Sequence, residues 1–119
     1  YSDVYLTKAR TITAEPAYRK EYLGKHWAEF GMGRVDKGVS YFLAALDNDE
    51  KASAEVDHYL DWWTVGRGDK VKYTPGGLAW RMEWGVLRYA VNTSWFALLW
   101  ADRRPTPDRD RADRLRAFA

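Results

Sequence analysis

Apolar residues recur at three- and four-residue spacing along almost the whole chain, the pattern of amphipathic helices rather than strands. A first helix is expected over 3–13, closed before Pro16. A second, over 17–30, carries Tyr18, Tyr22, Leu23, Trp27 and Phe30 on a charged background and ends at Gly31 and Gly33. A third spans about 36–46, with Val39, Phe42, Leu43 and Leu46 on one stripe. Asp47 followed by Glu50 predicts a capping box opening a fourth helix. There Val56, Tyr59, Leu60 and Trp63 form one apolar face, and Gly66 and Gly68 end the helix. Residues 67–80 read as a loop with a short extended piece at 71–73. A fifth helix is expected from about Met82 to Ala101, with Trp84, Leu87, Val91, Trp95 and Leu98 along one face. Pro105 and Pro107 separate it from an arginine-rich last helix at 108–119, anchored by Leu115 and Phe118. The spacing of Tyr22, Leu23 and Trp27 is echoed by Tyr59, Leu60 and Trp63, which suggests stacked α-hairpins. The expected architecture is all-α, five to six helices in one domain without an internal boundary.

Charge and composition exclude several functions. Lys and Arg number 19 and Asp and Glu 17, a formal net charge of +2, so no strong field draws the chain to nucleic acid or to a membrane surface. The arginines from Arg103 to Arg116 alternate with aspartates, which cancels the potential a phosphate backbone needs. The longest apolar cluster, Trp95 to Ala101, is too short to cross a bilayer. With no cysteine, disulfides and thiolate zinc sites are ruled out. His26 and His58 lack metal-ligand spacing. The sequon Asn92-Thr93-Ser94 falls inside a helix beside apolar residues, which argues against glycosylation. The unusual feature is seven tryptophans with eight tyrosines. Such rings fill helical cores, and they also make flat platforms for sugar rings.

The most informative stretch is Tyr73-Thr-Pro-Gly-Gly-Leu-Ala-Trp80 with Trp84-Gly-Val-Leu-Arg-Tyr-Ala-Val-Asn92. Pro75 presets φ and Gly76 tolerates φ > 0, which predicts a type II turn. Trp84 and Arg88 are four apart, neighbours on one face of the expected fifth helix, with Tyr89 beside them. An indole offers a flat apolar surface to the C–H face of a pyranose, and a guanidinium offers several donors to its hydroxyls. The same spacing also suits a core position for Trp84 and a structural ion pair of Arg88 with Glu83 or Asp61.

Tyr-Thr-Pro-Gly-Gly-Leu followed by Trp-Gly-x-Leu-Arg-Tyr-Ala-x-Asn resembles the family 9 glycoside hydrolases nearly residue for residue. Ala97-Leu-Leu-Trp-Ala-Asp102 is similar as well, and the strong match covers about residues 58–102. The resemblance implies a piece of an (α/α)6 toroid of the six-hairpin glycosidase type, internal to a longer catalytic domain. It implies a secreted, endo-acting β-1,4-glucan hydrolase that inverts the anomeric centre, with cellulose-like polysaccharide or oligosaccharide as partner. Accessory carbohydrate-binding modules accompany some such enzymes. In that family the positions of Trp84, Arg88 and Tyr89 line the substrate cleft. Trp27 is expected as a second aromatic platform and Tyr73 as a weaker one, though Trp27 suits a helical core equally well.

The chain departs from the family in two respects. First, inverting hydrolysis needs a general acid and a general base, and neither of the family's carboxylate motifs occurs here. No catalytic residue is therefore assigned. Glu15, Glu21, Glu50, Glu55, Asp108, Asp110 and Asp113 read as solvated helix surface, and the piece alone is expected to be inactive. Second, Arg34-Val35-Asp36-Lys37 replaces the family's Trp-Asp-Asp/Asn-Lys. The first acid of that motif helps bind calcium in some members, and Val35 has no side-chain oxygen to offer. No cofactor or metal is placed on this chain. The rival reading is a non-catalytic helical module that binds carbohydrate or protein through its aromatic face.

Overall fold

A computed structural model describes residues 2–18, 36–65 and 71–119. Five helices are bounded among the described residues: α1 (Ser2–Ala14), α2 (Asp36–Asp47), α3 (Glu50–Thr64), α4 (Val86–Arg103) and α5 (Arg109–Phe118). Between α3 and α4 a small antiparallel hairpin pairs β1 (Lys72–Tyr73) with β2 (Ala79–Trp80). The fold is thus all-α apart from this hairpin. The expected second helix, which includes Trp27 and His26, lies almost wholly outside the described residues, as do Arg34 and Val35.

Two capped helices hold the core in place. At α3 the cap is Asp49 rather than the expected Asp47, its carboxylate accepting from the Ala52 N–H at 3.0 Å. Asp47 belongs to the end of α2 and binds Arg10 of α1 in a forked pair at 2.5–2.9 Å. The expected box fails because α2 runs on through Asp47 and the chain reverses at Asn48, φ 54, which moves the cap two residues on. At α5 Asp108 caps the Arg111 N–H at 3.0 Å.

The core is built on the predicted stripe of α3. Val56, Tyr59, Leu60 and Trp63 are all buried, against Leu43 and Ala44 of α2, Phe96, Ala97 and Trp100 of α4, and Leu115 of α5. Tyr41 meets both Phe96 and Trp100 edge-on, at 5.6 and 5.9 Å between ring centroids. Phe118 leans on Trp63. Both expected anchors of α5 therefore reach the core.

The α4 stripe turns outward and the α2 stripe is divided, with Leu43 buried and Val39 packed on the core. On α4 the expected core face is exposed at Leu87, Val91, Trp95 and Leu98, and Thr93, Phe96, Ala97 and Trp100 are buried instead. On α2 Phe42 and Leu46 are exposed, and the buried set includes Lys37 and Ser40. Both helices are apolar over more than one face, so periodicity alone does not select which face meets α3. The Cα radius of gyration, 14.6 Å, exceeds the value of about 13.5 Å expected for a compact domain of this length.

Beneath the α3–α4–α5 contact lies an ion-pair network. Asp57 accepts from Trp100 Nε1 at 2.8 Å and from both Nε and Nη2 of Arg104. Asp61 takes the forked guanidinium of Arg111 at 2.6 and 3.3 Å. Arg111 also reaches Asp57 at 3.5 Å. Lys37 is buried beside Glu55 at 3.7 Å, so Glu55 is not the solvated residue expected.

Candidate functional site

The turn at Thr74–Gly77 sets the hairpin. The Gly77 N–H donates to the Thr74 carbonyl at 2.9 Å, and the positive φ falls on Gly77 (85°), not on Gly76. The expected type II turn is therefore replaced by a three-residue loop closed by a left-handed glycine, a connection that fits the right-handed twist of paired strands. Thr74 Oγ1 accepts from the Leu78 N–H at 3.0 Å and steadies the loop. The short pairing that follows, Tyr73 opposite Ala79 and Lys72 opposite Trp80, is what the sequence reading missed by treating 74–80 as loop.

The hairpin is pinned to α3. The Tyr73 hydroxyl donates to the Trp63 carbonyl at 2.5 Å, and burial pushes its pKa above the ordinary 10.0. Tyr73 thus ties the hairpin to the end of α3 through its hydroxyl, while the residue stays 44 % exposed.

Trp84 does not lie on a helix. α4 begins at Val86, after Gly85 at φ 67 and ψ 16, a left-handed residue at the N-cap. The helical-face argument for pairing Trp84 with Arg88 is therefore corrected, yet the two groups still meet. The turn at Gly85 folds the chain so that the Arg88 guanidinium carbon lies 5.1 Å from the Trp84 ring centroid and 5.0 Å from that of Tyr89. Arg88 Nη2 also donates to the Tyr89 hydroxyl at 3.2 Å. A Cβ at Gly85 would sit 3.5 Å from Arg88 Nη2 and 3.7 Å from Tyr89 Cε2, so the backbone runs close under the pair.

Exposure separates this group from the core. Trp84 is 70 % exposed and Arg88 is exposed, while Tyr89 is half-buried against the core. None of the ion pairs among the described residues involves Arg88. Asp61, one expected partner, is taken by Arg111. Tyr89 is fixed from below, its carbonyl accepting from Thr93 Oγ1 at 2.8 Å. The buried Tyr59 hydroxyl in turn lies 2.6 Å from Thr93 Oγ1. The result is an indole and a guanidinium presented to solvent on a rigid base, with a phenol beside them. Of the expected site residues, Trp84, Arg88 and Tyr89 are brought together, Tyr73 lies apart on the hairpin and is bound to α3, and Trp27 lies outside the described residues.

Other features are less suited to a ligand. A cleft of about 290 Å³ between the end of α4 and α5 is lined by Arg104, Arg109, Arg111 and Arg116. Three of those guanidinium groups are bound by Asp57, Asp61 and Asp102. No three His, Asp or Glu side chains converge on a metal position among the described residues. No described helix is long and apolar enough to cross a membrane.

Known proteins resemble this chain over much of its length. The family model described as glycosyl hydrolase family 9 matches residues 2–119. Endoglucanase A of Bacillus pumilus is 35 % identical over 82 residues, which cover 65 % of this chain and 12 % of that protein. Endoglucanase B of Cellulomonas fimi is 46 % identical over 66 residues, 55 % of this chain and 6 % of that protein. Among solved structures, endoglucanase CelQ from Clostridium thermocellum in complex with cellotetraose superposes with a TM-score of 0.76 at 28 % identity. That likeness covers 98 % of this chain and 20 % of CelQ. This chain therefore spans a small part of the length of its relatives, its helices are part of an (α/α)6 toroid, and it belongs to glycosyl hydrolase family 9.

Proposed function

We propose that the protein containing this chain cleaves β-1,4-glucan internally and with inversion, and that these residues supply part of its substrate cleft. The observation that carries the reading is the solvent-facing Trp84–Arg88–Tyr89 group, anchored through Thr93 and Tyr59. A pyranose presents an apolar face and a polar rim, and the indole and guanidinium meet one each. The solved complexes of CelQ with cello-oligosaccharides support a glucan ligand. Secretion accords with an insoluble polymeric substrate.

The chemistry itself belongs elsewhere in the protein. An inverting pair holds two carboxyls roughly 6.5–9.5 Å apart across a water. The carboxylates nearest the core, Glu55, Asp57 and Asp61, are engaged by Lys37, Arg104 and Arg111 and serve the fold. Soluble β-1,4-glucan incubated with the full-length protein should lose viscosity faster than reducing ends accumulate. Proton NMR should show the α-anomer released first. Release of the β-anomer, or no cleavage of any β-1,4-glucan, would refute this function, and binding without cleavage would favour a non-catalytic module.

A further inference from the structure

The hairpin has two faces. On one, Ala79 is buried and Tyr73, itself 44 % exposed, reaches the Trp63 carbonyl through its hydroxyl. Lys72 and Trp80 are cross-strand partners on the opposite face, with Lys72 Nζ 5.9 Å from the indole centroid. Leu78, two residues before Trp80 and hence on the same side, is 62 % exposed. Trp80 is 36 % exposed, so an indole and a leucine stand together on the solvent side of the hairpin.

We infer that the Lys72–Trp80 face is a second sugar platform, which takes a more distant pyranose of the same glucan chain held at Trp84. The inference rests on the function proposed above and extends its site. The first ground is chemistry. Trp80 beside Lys72 repeats the indole-and-cation pairing of Trp84 with Arg88. The cation orders the ring and offers donors to hydroxyls.

The second ground is continuity. β2 packs against α4 and leads into Trp84 through residues 81–83. Arg81 turns to the other side and lies 5.4 Å from the Trp62 centroid, which ties the connecting segment to α3. Tyr73 ties the first strand to the same helix. Two platforms on one anchored segment keep a fixed separation, and a stiff polymer gains affinity from sites already spaced for it.

The test compares short and long ligands. Calorimetric titrations of the full-length protein, in the cold where turnover is slow, would use cellobiose and cellohexaose. Trp80→Ala should weaken cellohexaose binding roughly tenfold, the loss of one stacked ring, and leave cellobiose unchanged. Trp80→Tyr should restore most of the loss, and Trp84→Ala should weaken both sugars. Should Trp80→Ala impair folding, Lys72→Gln provides the same readout at an exposed residue, with a smaller loss confined to cellohexaose. Wild-type cellohexaose affinity in Trp80→Ala or, failing that, in Lys72→Gln, with Trp84→Ala impaired, overturns the platform and spares the cleft. Wild-type affinity in Trp84→Ala for both sugars overturns the cleft reading, and the platform falls with it.

Discussion

The same two residue types, tryptophan and arginine, meet twice in this chain and are used in opposite ways. At the α3–α4–α5 contact Trp100 is fully buried, and its Nε1 shares Asp57 with Arg104. At the start of α4 Trp84 is exposed, and Arg88 rests on it without a carboxylate among the described residues. The first arrangement satisfies every partner within the fold and has nothing left to offer a ligand. The second leaves an apolar face and guanidinium donors toward solvent. What distinguishes a structural indole–arginine pair from a ligand-ready one is thus the presence of an acid, not the residues themselves.

The sharpest contrast is in stability. Trp63→Ala or Trp100→Ala should cost about 3–5 kcal/mol, as emptied aromatic core sites do, whereas Trp84→Ala should fall within about 0.5 kcal/mol of wild type. Guanidinium denaturation of each variant reads the difference, and equal losses at Trp84 and Trp100 would erase the distinction. Next in size is Asp57→Ala, which strands Trp100 Nε1 and the Arg104 guanidinium, and a loss of about 2–3 kcal/mol is expected. Gly77→Ala and Gly85→Ala place a side chain at φ 85 and 67, with an expected cost of about 1–2 kcal/mol each. Gly85→Ala should also weaken sugar binding, because that turn sets Trp84 against Arg88.

The smallest effect concerns pH. The backbone N–H of Arg111 holds the Asp108 carboxyl below its ordinary 3.8, with Arg111, Arg104 and Arg114 adding attraction. A lowered folded-state value means the cap stabilises α5 fully above that ordinary value. Its contribution is lost as pH falls through the lowered one. Helical circular dichroism should therefore drop in strong acid, and Asp108→Asn, which keeps a capping oxygen without the titration, should flatten that part of the curve.

The helices were legible in the sequence wherever one face alone is apolar. The Val56, Tyr59, Leu60 and Trp63 stripe of α3 and the Leu115 and Phe118 anchors of α5 took the places their spacing predicts. α4 was legible as a helix but not in orientation, because Leu87, Val91 and Trp95 on one side compete with Phe96, Ala97 and Trp100 on another. In an isolated chain those exposed residues, with Phe42 and Leu46 of α2, form uncovered apolar surface of the kind that promotes association. The candidate site was found through its motif, but its local geometry was not. Gly85 was read as helical, although a left-handed turn there is what brings Trp84 to Arg88. Two-residue strands fall below what alternation can signal, so the pairing of Lys72 with Trp80 is visible only in the register.

The contrast between the two tryptophan–arginine pairs comes to a single titration. Cellotetraose added to the full-length protein should change the tryptophan fluorescence with a saturable curve, and Trp84→Ala should shift that curve at least roughly tenfold to higher sugar. Superimposable curves for the wild type and Trp84→Ala would contradict the assignment of this surface to glucan.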